Sequence, residues 1–137
     1  MNDNIFIDTN IIVYARIQKE IKKHEQAKSL FAVHADDNIF ISTQVLSEAY
    51  NAMRKNGIND VDIIKTINEC IVKMNVISID VETIKQCFKL KGRYGFSYWD
   101  SLILSAATIA NCSIVYTEDM QHNQVINDKL KIVNPFI

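Results

Sequence analysis

Four carboxylates carry the chemistry this chain can do: Asp8, Glu48, Asp100 and Asp119. Asp8 closes the apolar run Ile5-Phe6-Ile7, and Asp119 lies just beyond the run Ile114-Val115-Tyr116. Asp100 falls in the first turn of a helix that opens Ser97-Tyr98-Trp99-Asp100, and Glu48 lies inside a helix that follows a further strand. Each position allows the end of a strand or helix to aim its side chain at a shared point. Carboxylates gathered without nearby cations repel one another, so a pocket built from them calls for protons or hard metal ions. The pattern points to metal-dependent chemistry.

Each acid also has an ordinary use. Asp8, placed after a strand and before Ile11-Ile12-Val13, is suited to cap a short helix, and its two oxygens allow capping and ligation together. Glu48 follows Val45 by three residues and precedes Ala52 by four, so it borders the inward face of its helix, where a solvated Glu is the commoner occurrence. Ser97-x-x-Asp100 matches a capping box with Asp in place of Glu or Gln. The helix behind it is apolar nearly all round, which leaves that carboxylate partly buried and costly unless compensated. Asp119 suits a turn after a strand; Thr117 faces the same way in extended chain, and Glu118 faces opposite.

The elements that position these residues follow from periodicity. Asn4–Ile7, Asn38–Ile41 and Ser113–Thr117 read as strands, with weaker candidates at Val76–Ile79 and Lys131–Val133. Residues 60–74 place Val61, Ile64, Ile67, Ile71 and Met74 on one stripe of an amphipathic helix, and residues 81–91 repeat this less strongly. Asp60 and Asp80 are suitable N-caps, and Gly57 reads as a helix stop. Ser42 or Thr43 can cap the helix that carries Glu48. Leu102–Ala110 reads as a central buried helix. Strands alternating with helices predict an α/β layer fold with a mostly parallel sheet, in which ligands bind outside the carboxyl ends of the strands.

The chain has 137 residues and 48% apolar residues, enough for one domain over 1–137 with a substantial core. A formal charge of −1 speaks against a wide basic surface for undirected nucleic-acid binding. Cys70, Cys87 and Cys112 lie far apart with no metal-binding spacing and read as buried thiols of a reducing compartment. The opening Asn2-Asp3-Asn4 resembles no signal peptide, and no apolar run reaches the ~20 residues of a membrane helix. The expected location is the cytoplasm, with no membrane contact.

Four stretches together resemble a known family. Phe6-Ile7-Asp8-Thr9-Asn10-Ile11-Ile12-Val13-Tyr14-Ala15, Ser42-Thr43-Gln44-Val45-Leu46-Ser47-Glu48, Tyr98-Trp99-Asp100-Ser101-Leu102-Ile103 and Tyr116-Thr117-Glu118-Asp119-Met120-Gln121 are similar, in order and spacing, to the motifs of PIN-domain ribonucleases of the VapC toxin type. The resemblance implies a three-layer α/β/α domain in which Asp8, Glu48, Asp100 and Asp119 bind Mg²⁺ or Mn²⁺ and Asn10 or Thr117 orients them. It also implies a homodimer held inactive by a cognate antitoxin protein. Asn123 stands where similar sequences often have Gly; Asn is the next best residue for a left-handed turn, so the loop is expected to keep its shape.

The function expected is a metal-dependent endoribonuclease, the toxin of a toxin–antitoxin pair, with a noncatalytic PIN-fold binding module for RNA or protein as the alternative. Asp8 and Asp100, joined by Asp119, are expected to hold the principal ion, and Glu48 to bind a second ion or orient the attacking water. Lys89, Lys91 and Arg93 lead toward Asp100 and are candidate RNA phosphate contacts, although a solvated helix end explains them equally. Lys19, Lys22, Lys23 and His24 alternate with Glu20 and Glu25 and read as an exposed face. His122 lies near Asp119 but suits a surface loop. An aspartate-phosphatase Asp-x-Asp is excluded because position 10 is Asn, and no Gly-rich phosphate loop is present.

Overall fold

A computed structural model describes residues 2–137. Its centre is a six-stranded sheet in the order β3-β2-β1-β4-β6-β5. The strands are β1 (Asn4–Ile7), β2 (Asn38–Ser42), β3 (Asn75–Ile77), β4 (Ile114–Tyr116), β5 (Val125–Ile126) and β6 (Leu130–Val133). Every neighbouring pair runs parallel except β5 with β6. The helices are α1 (Thr9–Arg16), α2 (Ile21–Val33), α3 (Thr43–Lys55), α4 (Asp60–Lys73), α5 (Val81–Tyr94) and α6 (Tyr98–Ile109). This is the α/β fold with a central, mostly parallel sheet that the alternating pattern predicts.

β1 is the middle of the layer, so Ile5, Phe6 and Ile7 are fully buried, and β4 beside it buries Val115. Strands covered on both faces read as continuous apolar runs, which is why both are visible in the sequence. α6 buries Ser101 through Ala107, in keeping with its all-round apolar character. The ladder between β1 and β4 continues one step past the strands, where the Asp8 N–H donates to the Tyr116 carbonyl at 3.0 Å. That bond sets the ends of β1 and β4 side by side.

Three local features depart from the sequence reading. The cap of α4 is Asn59, whose side chain accepts from the Asp62 N–H at 2.9 Å; Asp60 is the first helical residue. The buried side of α4 consists of Ile63, Thr66 and Cys70, while Val61, Ile64 and Ile71 of the apolar stripe are exposed. The third is β5, too short to show periodicity; Asn127 and Asp128 at φ 52° and 57° turn it back onto β6. An Asn-Asp pair suited to left-handed backbone was the available hairpin signal.

Other caps follow expectation. Asp80 and Thr83 form a capping box at α5, Ser42 caps α3, and Gly57 takes φ 83° just after the Asn56 cap. Asn123 adopts φ 71° and donates its N–H to the Ile132 carbonyl at 2.8 Å, so the left-handed turn is kept without glycine. Cys70, Cys87 and Cys112 are buried and free. Among the described residues no helix is long and apolar enough to cross a membrane.

Candidate active-site cleft

Parallel order places the carboxyl ends of β1, β2 and β4 on one edge, and the four acids approach a common cleft of about 830 Å³ there. Asp8 arrives from the end of β1, Glu48 from α3, Asp100 from the first turn of α6 and Asp119 from the loop after β4. Asn10 lines the same cleft.

Asp8 is the fixed member, only 6% exposed. One of its oxygens accepts from the Thr9 N–H at 2.7 Å, which caps α1, and the other accepts from the Thr117 hydroxyl at 2.8 Å. Capping thus coexists with the possibility of ligation, because each oxygen retains a second lone pair. Burial is the main cause that pushes the Asp8 carboxyl up to about 6; the Thr117 and Thr9 bonds oppose it, and the charges of Glu48 and Asp119 add to it.

Thr117 organises the neighbours. Its hydroxyl is fully buried, donates to Asp8, and accepts from the Asp119 N–H at 3.2 Å and the Asn10 amide at 3.5 Å. Asn10 also donates to an Asp119 carboxylate oxygen at 3.0 Å, while its own oxygen accepts from the Glu118 N–H at 3.4 Å. Asn10 therefore ties α1 to the loop that carries Asp119. Glu118 turns away, as strand alternation requires, and binds Tyr14 at 2.6 Å and Lys23 at 2.9 Å.

Glu48 and Asp100 are less tightly held. The Thr9 hydroxyl donates to Glu48 at 3.5 Å, and the Ser97 hydroxyl caps α6 by accepting from the Asp100 N–H at 3.1 Å. Loss of hydration raises the carboxyl pKa of both, with Asp100 adding to the effect on Glu48 and Asp119 adding to it on both. None of the four acids takes part in an ion pair among the described residues, whereas Glu118 has Lys23. The acidic wall carries uncompensated negative charge.

The donors are all hard oxygens, the type that suits Mg²⁺ or Mn²⁺. No three His, Cys, Asp or Glu side chains among the described residues stand close enough together to hold a metal ion. The acids surround the cleft from separate elements, and ligation would require side-chain rotation at the less fixed positions.

Sequence reasoning did not single out the other walls. Trp99 is 62% exposed and lines the cleft, its backbone carbonyl held by the Gln44 amide at 3.2 Å. The Gln44 side-chain oxygen is buried without a partner among the described residues. Lys19 and Lys55 also line the cleft. Of the supposed exposed face, Lys23 is instead bound to Glu118, and His24 is buried with Nδ1 2.8 Å from the Tyr14 carbonyl. Lys89, Lys91 and Arg93 lie on α5 outside the cleft lining, and Arg93 donates to Asn127 at 3.1 Å. His122 accepts from the Asn134 N–H at 2.9 Å and does not line the cleft.

A parallel α/β domain with an uncompensated acidic cleft at the carboxyl edge of its sheet defines the class. The chain belongs to the PIN domain family, whose model matches residues 5–127. No curated protein matches it at the sequence level. Among solved structures it is similar to VapBC2 from Rickettsia felis bound to a promoter DNA fragment, with TM-score 0.68 and 19% identity over 96% of this chain and 99% of that one. DNA-bound VapBC from Salmonella typhimurium gives TM-score 0.68 and 17% identity, covering 96% and 98%. Mycobacterium tuberculosis VapC20, a Sarcin-Ricin loop cleaving toxin, gives TM-score 0.67 and 15% identity, covering 81% and 86%. At these identities the likeness is one of fold.

Proposed function

We propose that this chain is a metal-dependent endoribonuclease and the toxin component of a toxin–antitoxin pair. The observation that carries the reading is the gathering of Asp8, Glu48, Asp100 and Asp119 around one cleft without a paired cation. The hydrogen-bond partners of Asp8, Glu48 and Asp119 are neutral groups, and none of the four acids meets a cation as Glu118 meets Lys23. Membership of the PIN domain family supports the nuclease assignment. The VapBC complexes among its structural neighbours support a cognate antitoxin as partner. The chain is further proposed to work as a homodimer in the cytoplasm.

Asp8, Asp100 and Asp119 would hold the principal Mg²⁺ or Mn²⁺ ion, with Glu48 positioned for a second ion or for the attacking water. The bound ion would polarise the phosphodiester and lower the pKa of a coordinated water. Asp8 contributes a carboxylate already fixed by two hydrogen bonds, so little rotamer freedom remains to be lost on binding. Asn10 keeps Asp119 turned toward the cleft, and Thr117 links Asp8 and Asp119 through one hydroxyl. Hydrolysis by water leaves a 5′-phosphate and a 3′-hydroxyl, whereas attack by the ribose 2′-hydroxyl leaves a cyclic phosphate.

Trp99, the chain's one tryptophan, reports on the site because it adjoins Asp100 on the cleft wall. Titration with Mn²⁺ should quench its fluorescence, and Asp8→Asn or Asp100→Asn should weaken the quenching and abolish RNA cleavage while circular dichroism stays unchanged. Undiminished cleavage by either variant, or by the wild type in excess chelator, defeats the proposal.

A further inference from the structure

We infer that Lys19 and Lys55 form a phosphate-binding subsite for an RNA nucleotide beyond the one being cut; this rests on the ribonuclease reading above. Both lysines line the same cleft as the four acids. Lys19 sits in the turn between α1 and α2, and Lys55 is the last residue of α3. Neither takes part in an ion pair among the described residues, whereas Lys23 nearby is held by Glu118 and Glu20. Glu20 is the one acid on the wall beside Lys19, and its carboxylate is met by Lys23 at 3.9 Å. The cleft therefore has an acidic end and a cationic end.

The spacing follows from the helices. α1 and α3 follow adjacent parallel strands and pack against each other, so both lead away from the carboxyl edge of the sheet. Lys55 follows Glu48 by seven residues, about 10 Å along α3 at the usual helical rise. Lys19 follows the whole of α1, which begins at Thr9 beside Asp8. With about 10 Å of α3 between them, the two ends suit different phosphates of one strand, one at the acids and another at the lysines. The cleft is also lined by Val13, Ile17 and Ala52, apolar surface suited to a ribose or base, and by Asn51. A cation at the last turn of α3 also complements the helix dipole, but that explains neither its place on the cleft wall nor the matching Lys19 on another element.

Phosphate contacts are read by salt dependence. Each contact to single-stranded nucleic acid contributes about 0.7 to the slope of log K against log salt, so losing both lysines should flatten the slope by about 1.4. The test measures a labelled random-sequence RNA dodecamer by fluorescence anisotropy over a salt series, in an Asp100→Asn background that keeps the RNA intact. Lys19→Gln with Lys55→Gln should bind more weakly with the flatter slope, and Lys19→Arg with Lys55→Arg should restore both. In the catalytically intact protein the glutamine pair should raise KM and spare kcat, the signature of lost uniform binding. Both lysines are exposed, so the substitutions leave the fold in place. If the unsubstituted protein cleaves RNA but the slopes coincide, the subsite alone is overturned. If it neither binds nor cleaves RNA in Mn²⁺, the ribonuclease reading falls and takes the subsite with it. An acidic peptide that binds through these lysines while RNA binding is unaffected also overturns the proposal.

Discussion

Asp8 keeps a costly group at the end of a buried strand, and the cost can be measured. Its carboxyl titrates near 6 in the fold, against 3.8 as the ordinary value, mainly because burial disfavours the charge. A carboxyl pKa raised by folding gives its fullest stability below the unfolded value, and that stability is lost as pH rises through the folded value. In metal-free protein Asp8→Asn should therefore be relatively more favourable at pH 8 than at pH 4.5, by roughly 2 kcal/mol from the linkage relation. The amide would also face the Thr117 hydroxyl with a donor, where that hydroxyl already accepts from Asp119 and Asn10, and losing the bond costs about 1 kcal/mol at both pH values. Urea unfolding of both proteins in chelator checks this, and a pH-independent difference would refute the burial argument. The position of Asp8 was legible because strand end and helix start meet at one residue. The cleft-facing Lys19 was not, because a charged turn beside Lys22, Lys23 and Glu25 has no periodicity that separates one side from another.

Among the elements, α4 shows where sequence pattern stops being informative. Its length was legible, but its cap was read one residue too late, at Asp60 instead of Asn59. Asn59 wins by geometry: its side-chain oxygen accepts from the Asp62 N–H, and its amide donates back to the Asp62 carboxylate at 2.9 Å. Asn59→Ala should cost about 1 kcal/mol, the usual loss for an N-cap. Asp60→Ala gives up only surface contacts, chiefly the hydrogen bond from Tyr50, and should cost less than half as much. Equal losses in chemical denaturation would show the cap to be misassigned. The buried face of α4 was illegible for a related reason. Thr66 and Cys70 take inward positions in place of Ile64 and Ile71. Thr66 satisfies its hydroxyl by donating to the Asp62 carbonyl and accepting from Arg16, so a polar residue packs inward without penalty. Hydrophobicity alone cannot see that compensation.

At the scale of the whole molecule, that same exchange leaves apolar surface that no other described residue covers. Val61 and Val72 are 77% and 84% exposed on α4, with Ile64 and Ile71 about half exposed beside them. Scattered apolar residues are normal on a surface, but contiguous ones mark an interaction face. Here Val61, Ile64 and Val72 line one shallow depression, and Ile64 continues into a second with Leu46, Tyr50 and Ile67 of α3 and α4. A helix that turns two valines and two isoleucines outward has forgone burial worth about 1.5–3 kcal/mol for each side chain fully covered. A second copy of the chain is the occupant that fits the proposed homodimer. Symmetric association would let Val61, Ile64 and Val72 cover the same face of a partner, since a two-fold interface is self-complementary. Sedimentation should then find a dimer, and Val61→Glu with Val72→Glu should leave a folded monomer, because two carboxylates cannot be buried unpaired at its centre. Both side chains point to solvent within the chain, so the double variant should keep the unfolding midpoint of the isolated domain. A wild type that sediments as a monomer at every concentration, or a double variant that stays dimeric, would remove α4 from the assembly and leave its outward stripe without an account.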